Sequence, residues 1–477
     1  MKKFCFWISV ALLVSLSCFS YVGCVQKPEA EKVTEWEGKE DFEPSGEMTA
    51  EVLELNSRYD TYAQNATLAF SQNLPVGESD FEYEETEGGI MITAYVGAEQ
   101  IVVIPESIGG KTVIALGETS FADLNVRAVY VPDCVIRIEK GAFSGCDNLS
   151  TMRLPFVGDG AENTYFGYIF GADSYENHAV KVPTSLDMVI VGDKTVEIAA
   201  NAFAGCKTLS AVVLPVSITK IGDFAFYECK DLVYISRNVA VKEVGNYAFG
   251  YCSLLFKAEF LMAESLGLGA FYECNSIRSL SLPFVGGSAY ENRFIGYIFG
   301  AETADYNDEF VPSSLFSVSV SALQCKDIPD RAFAGCANIS EMIFDMEIES
   351  VGIRAFYSCR SLQSIKLPDG IKTIGDDAFF GCDNLETVEL GNDLESLGMQ
   401  AFYGCRKLKS VIVPEKVTEI KPSVFALCES LETVVLKGVK KVGKDAFSNC
   451  EALNSVECGE IEIAEGNDRL KEIVEAK

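Results

Sequence analysis

The sequence predicts an α/β repeat solenoid, strand-rich, of about fourteen stacked coils of 22–23 residues sharing a parallel concave sheet. Three observations carry that expectation. Ala-Phe-x-x-Cys recurs with its aromatic at Phe143, Phe203, Phe226, Phe249, Phe271, Phe333, Phe356, Phe379, Phe402, Phe425 and Phe447, with Val424 before Phe425, and most neighbours lie 22 or 23 residues apart. Each unit also contains a Leu-x-x-Ile-x-Leu stretch that alternates like a short strand, as in Leu385-Glu386-Thr387-Val388-Glu389-Leu390. Finally, 48% hydrophobic residues demand a large core although the formal net charge is -31.

The chain opens with Met1-Lys2-Lys3 and an apolar run to about Leu16, which reads as a signal peptide over residues 1–23. Tyr21-Val22-Gly23-Cys24 resembles a bacterial lipobox, with Tyr21 where that pattern has Leu; the resemblance implies lipidation of Cys24 and a cell-surface or outer-membrane location. Ordinary cleavage near Gly23, giving a secreted protein, is the alternative. Residues 24–46 are polar and read as a tether, and residues 47–80, with Met48, Val52, Leu53 and Leu55, as a short helical segment. No later stretch is long enough to span a bilayer, so contact with a membrane is expected only through an N-terminal lipid.

From residue 81 to 459 the coils follow. A clean one runs from Leu362 through Ile365, Leu367-Pro368, Ile371, Ile374-Gly375 and Ala378-Phe379 to Cys382. A unit of this size cannot bury its own apolar face, so each covers the last. Val388 and Leu390 point inward, the Gly allows the bend, and the phenylalanine returns to the core. Phe121 begins the series, with Leu124 in the place of the cysteine. These residues resemble the BspA-like leucine-rich repeats of bacterial surface proteins over about Phe81 to Cys458. The resemblance implies an opening hairpin at Phe81–Glu84 and Ile90–Thr93, turning at Gly88-Gly89. The tail, residues 460–477 with Leu470, Ile473 and Val474, reads as a C-terminal cap.

Two gaps break the rhythm, from Phe143 to Phe203 and from Phe271 to Phe333, and they are copies of each other. Leu154-Pro155-Phe156-Val157-Gly158 answers Leu282-Pro283-Phe284-Val285-Gly286, and Phe166-Gly167-Tyr168-Ile169-Phe170 answers Ile295-Gly296-Tyr297-Ile298-Phe299. Each gap reads as two coils plus an insertion, near 155–185 and 283–314, with Phe170 and Phe299 as disguised core phenylalanines. With strands about 4.8 Å apart, the solenoid should be roughly 65 Å long and the insertions, five coils apart, roughly 24 Å from one another.

Eleven of the 17 cysteines occupy one repeat position, from Cys146 to Cys450. Parallel projection about 4.8 Å apart suits a buried free-thiol ladder better than disulfides, whose Cβ atoms converge to about 3.8 Å. Cys134, Cys325 and Cys458 lie outside that ladder and are expected to be partly exposed.

Function is constrained mostly by exclusion. The acidity disfavours nucleic acid and anionic lipid. One histidine, His178, leaves little room for imidazole catalysis or zinc, and it reads as a loop residue. No nucleophile elbow, calcium loop or singled-out carboxylate pair occurs, so no catalytic residue, metal or cofactor is expected and the protein is read as no enzyme. Binding is expected at the insertions, where aromatics lie among carboxylates at Tyr165, Phe166, Tyr175, Tyr290, Phe294, Tyr306 and Phe310, or on the concave strands, as at Thr387 and Glu389. The BspA resemblance implies an adhesion-type protein that binds a host or bacterial surface protein or glycan, and the charge favours a cationic one. A structural spacer without a diffusible ligand is the other reading, and a carbohydrate-processing enzyme, which needs a convergent carboxylate pair in a deep pocket, is a third.

Overall fold

A computed structural model describes Phe70 and residues 75–236, 240–321, 325–344 and 348–476. The signal peptide, Cys24, the tether and the helical reading of the segment before Phe70 lie outside the described residues. Strand Phe81–Thr86 pairs antiparallel with Gly89–Tyr95 and opens the fold as a hairpin. A parallel solenoid of about sixteen turns follows. Its main strands succeed one another in parallel from Ile101–Val103 to Ser455–Cys458, and a second row of two-residue strands, such as Glu197–Ile198 and Lys220–Ile221, runs along the other side of each coil. Helix Asp468–Glu475 closes the end, with Leu470 fully buried beneath it.

The expected fourteen coils fall short because the count followed phenylalanine. At the start Tyr95 takes that place, stacked on Phe121 at 5.6 Å. At the end, strand Ser455–Cys458 forms a further turn without an Ala-Phe-x-x-Cys. Between them the phenylalanines form a spine, for example Phe203 on Phe226 and Phe226 on Phe249, both at 5.2 Å and within 4° of parallel. Offset stacking adds to the large apolar area each ring buries.

The repeat glycine has a different purpose from the expected bend. Gly222, Gly245 and Gly375 lack positive φ; the left-handed residues are Phe224, Tyr247 and Asp377, two positions later, with φ of 56°, 51° and 54°. What the glycine permits is contact between coils, since a Cβ at Gly245 would lie 2.4 Å from the Asp223 backbone nitrogen. In the regular coils a second left-handed residue follows the core phenylalanine by two, as at Glu228 and Ser358, whereas in the widened coils it follows Phe170 and Phe299 directly, at Gly171 and Gly300. The convex side is therefore a double turn, tied to the next coil by bonds such as Phe226 N–H to the Ala248 carbonyl at 2.7 Å.

The cysteine ladder is made of free thiols, and nine of its eleven members donate to a backbone carbonyl. Cys229 donates to the Phe203 carbonyl at 3.1 Å, Cys252 to Phe226 at 3.1 Å and Cys405 to Phe379 at 3.3 Å. A thiol is small enough for the core and still satisfies a carbonyl inside it. Of the three cysteines outside the ladder, Cys325 is buried rather than partly exposed.

Candidate functional site

The insertions do not interrupt the main sheet. Thr151–Leu154 pairs directly with Met188–Val191, and Ser279–Leu282 with Ser317–Val320, so the extra residues widen one coil on its far side. Five strand steps separate Thr151–Leu154 from Ser279–Leu282. Each widened coil contains a 3-10 turn, Phe166–Phe170 and Ile295–Phe299.

That geometry overturns one expected binding residue. Phe166 is fully buried, 5.0 Å from the ring of Phe203, and its N–H donates to the Ala202 carbonyl as a regular coil would. The widened coil thus puts two phenylalanines, Phe166 and Phe170, into the core, and Ile295 takes the Phe166 place in the second copy. The other aromatics divide by exposure. Tyr290 is 86% exposed, and Tyr175 and Tyr306 are each 38% exposed. Tyr165 and Phe294 are half-buried beside Tyr168 and Tyr297, and Phe310 packs on the core. Thr387 and Glu389 lie exposed on the concave strand, where Lys366 pairs with Glu389 at 3.1 Å.

His178 is a buried structural group. Its Nδ1 accepts the Gly167 N–H at 3.3 Å, and burial holds the imidazole pKa down to about 4, with the Ala204 carbonyl opposing that shift only partly. Asn307 does the same work in the second copy, its Oδ1 accepting the Gly296 N–H at 2.8 Å. Asp159 is likewise consumed by its own loop, accepting from the Ala161 and Asn163 amides.

The second copy's loop forms the wall of a groove. From Gly286, at φ 89°, the chain doubles back so that Gly287 N–H reaches the Asn292 carbonyl at 2.9 Å. The Ser288 hydroxyl accepts the Tyr290 and Glu291 amides, and Leu266 N–H binds the Gly287 carbonyl. This loop overhangs the short strands Glu197–Ile198, Lys220–Ile221, Glu243–Val244 and Ser265–Leu266 and closes one side of an open groove of about 510 Å³. Its floor includes the glycine column Gly222, Gly245 and Gly267, whose missing side chains let each coil close onto the backbone of the one before it. Its walls carry Glu197, Asp223, Glu243 and Glu291 against one cation, Lys220, which lies 3.4 Å from Glu197 and 4.0 Å from Glu243. Tyr297 forms the remaining wall.

Next to the groove runs an aromatic ridge that the sequence reading missed. Phe224 stacks on Tyr247 at 5.5 Å, Tyr247 meets Tyr272 edge-on, and Tyr251 packs between Tyr227 and Tyr272. Partial burial pushes the Tyr247 phenol up to about 12, which keeps it a neutral hydrogen-bond donor. Aligning repeat columns beyond the core phenylalanine would have revealed it, because aromatics fill adjacent convex columns in consecutive coils. Among the described residues no group of three or more His, Cys, Asp or Glu is arranged to hold a metal ion.

Comparison with known proteins agrees with the repeat geometry. Among curated proteins none matches. Solved structures of similar fold include a leucine-rich repeat protein from Bacteroides ovatus, 20% identical over 71% of this chain and 94% of that one, with a TM-score of 0.35. A leucine-rich cell surface protein from Faecalibacterium prausnitzii is 22% identical over 84% of this chain and 98% of its own, with a TM-score of 0.31. The pneumococcal vaccine antigen PcpA is 17% identical over 83% and 94%, with a TM-score of 0.30. The family model for the BspA type leucine rich repeat region matches in six copies over residues 106–168, 176–295 and 326–454, more than half of the sequence, and the chain belongs to that family.

Proposed function

We propose that this chain is an exported cell-surface protein, carried on a lipid at Cys24, that binds a protein or glycan partner in an adhesion-type interaction through the groove beside its second insertion. The supporting observation is the composition of the groove: four carboxylates surround one ammonium over a glycine floor, with Tyr290 standing free in the loop that closes it. A site of that charge attracts a cationic group, and a chain carrying -31 overall extends the attraction beyond the groove. An exposed phenol ring adds apolar and cation–π contact at small entropic cost. The work is binding rather than catalysis, and needs neither metal nor cofactor.

The test is a binding screen of the chain from Val25 onward against immobilised matrix proteins and a glycan array, beside Tyr290→Ala and the double variant Glu243→Lys with Glu291→Lys. A partner lost at least tenfold by these exposed substitutions, and weakened by salt, supports the groove. Unchanged binding moves recognition to the concave strands around Thr387 and Glu389. No partner for any of the proteins favours a spacer.

A further inference from the structure

The groove does not end at Asp223 and Asn246. The residues that follow them, Phe224 and Tyr247, begin the aromatic ridge, and Tyr297 of the groove wall accepts the N–H of Gly269, against which the Tyr247 ring lies. Groove and ridge are therefore one surface. The ridge rings are firmly seated: Tyr227, Tyr247 and Tyr272 each lie against a glycine of the next coil, where a Cβ at Gly250, Gly269 or Gly300 would come within 3.0, 2.7 and 2.8 Å of them. Such rings lose little freedom when a partner arrives, and Phe224, Tyr227, Tyr247, Tyr251 and Tyr272 all keep part of their surface in solvent. Charge sets this surface apart from the coils beyond it. There Glu349 lies between Lys326 and Lys372 at 2.8 and 2.6 Å, and Glu419 takes Lys441 at 3.2 Å. Here burial raises the Tyr251 and Tyr247 phenols, and the charges of Glu273 and Glu302 raise them further, which places those carboxylates beside the rings. Among the described residues no ion pair engages Glu273, Glu302 or Glu291.

We propose that this joint surface takes an extended, arginine-bearing segment of a protein partner, whose guanidinium groups lie on the ridge and reach the carboxylates. The inference rests on the groove reading above and decides its partner class in favour of protein over glycan. A guanidinium stacks flat on an aromatic ring and still offers N–H donors around its rim, so one side chain answers both a tyrosine and a carboxylate. A neutral sugar answers the rings alone and leaves Glu273, Glu291 and Glu302 to lose water without a counter-charge. The scale fits a strand. Glu197 and Ser265 are three strand steps apart, about 14 Å, which about four extended residues span. Alternate side chains of such a segment point to opposite sides, so the arginines that face the surface are separated by residues that face solvent. Lys220, between Glu197 and Glu243, already holds a cation where the segment's would arrive. It therefore competes with the partner.

Calorimetric titration of the chain from Val25 onward with a peptide of alternating arginine and serine, and with its lysine counterpart, tests this. The arginine peptide should bind about threefold or more tighter than the lysine one. The double variant Glu273→Gln with Glu302→Gln, both exposed, should weaken it about tenfold. Lys220→Gln should strengthen it, and Glu451→Gln with Glu460→Gln, which removes the same charge from exposed positions near the C-terminus, should leave it unchanged. No binding of the arginine peptide, a lysine peptide that binds as well, weaker binding by Lys220→Gln, or equal weakening by the Glu451 and Glu460 pair each overturns the proposal. A glycan found in the binding screen that is lost with Glu243→Lys and Glu291→Lys, but is indifferent to Glu273→Gln with Glu302→Gln, overturns it while the groove reading stands. Indifference of every partner to both sets removes the groove reading and this inference with it.

Discussion

At the scale of single residues, the two buried polar groups repeated or echoed along the chain set its pH limits. His178 is 1% exposed and its pKa is depressed to about 4, below an unfolded value of about 6.5. The unfolded state therefore takes up the proton first as the medium acidifies. The contribution is fully present above pH ~6.5 and is lost as pH falls toward ~4, amounting to about 3 kcal/mol at most. Asn307 holds the equivalent amide without a titrating ring, so His178→Asn should keep neutral-pH stability and remove this dependence. Urea melts of both proteins at pH 7 and 4.5 check it: the wild type should lose more between the two, and equal losses would refute the assignment. The ladder thiols act at the other end. Burial pushes the Cys206 and Cys450 thiols up to about 12, so unfolded chains deprotonate first and stability falls as pH rises from ~9 toward ~12. Cys405→Ala, which removes the thiol bond but leaves the Cys382 N–H on the Phe379 carbonyl, should cost about 1 kcal/mol in a melt at neutral pH.

At the scale of the element, glycines that look interchangeable in the repeat have two separate physical causes. Gly245 is needed for close approach, because a Cβ would strike Asp223 backbone at 2.4 Å. Gly381 is needed for its φ of 68°, with nothing nearer to a Cβ than Ser358 Oγ at 3.5 Å. Gly381→Ala should therefore cost about 1 kcal/mol, the ordinary left-handed penalty, and Gly245→Ala about 2 kcal/mol or more, with distortion of the groove floor. Thermal melts order the two, and a Gly381→Ala penalty above that of Gly245→Ala would reverse the assignment. The sequence made the strand, the spine and the thiol ladder legible because each is a column of one residue type. It concealed the bend, because left-handed positions are filled by residues as unlike as Phe224, Asp377 and Gln400, whose backbone state no composition signals. The groove was concealed for a related reason. It depends on a loop folding back over coils that precede it, with Glu197 and Glu291 far apart in the chain.

At the scale of the whole molecule, coils that contact only their neighbours make stability a sum of local units and interfaces. The two widened coils are the points where that regularity is interrupted. Cys206 and Cys336, the first ladder cysteines after each, sit beside coils of another shape, and their exposure rises only to 3%. The packing therefore heals within one coil, and the molecule should hide its thiols as a single block. The chain from Val25 onward contains fourteen cysteines, all free, of which Cys134 and Cys458 alone are partly exposed. A thiol reagent at neutral pH should label two sites quickly and the remaining twelve only after guanidinium unfolding, together rather than in sequence. Fewer than fourteen labelled sites in denaturant would mean that disulfides form after export. Labelling that begins with Cys206 or Cys336 would mean that the widened coils divide the solenoid into independently opening segments, and binding at the second insertion would then be coupled to local unfolding there.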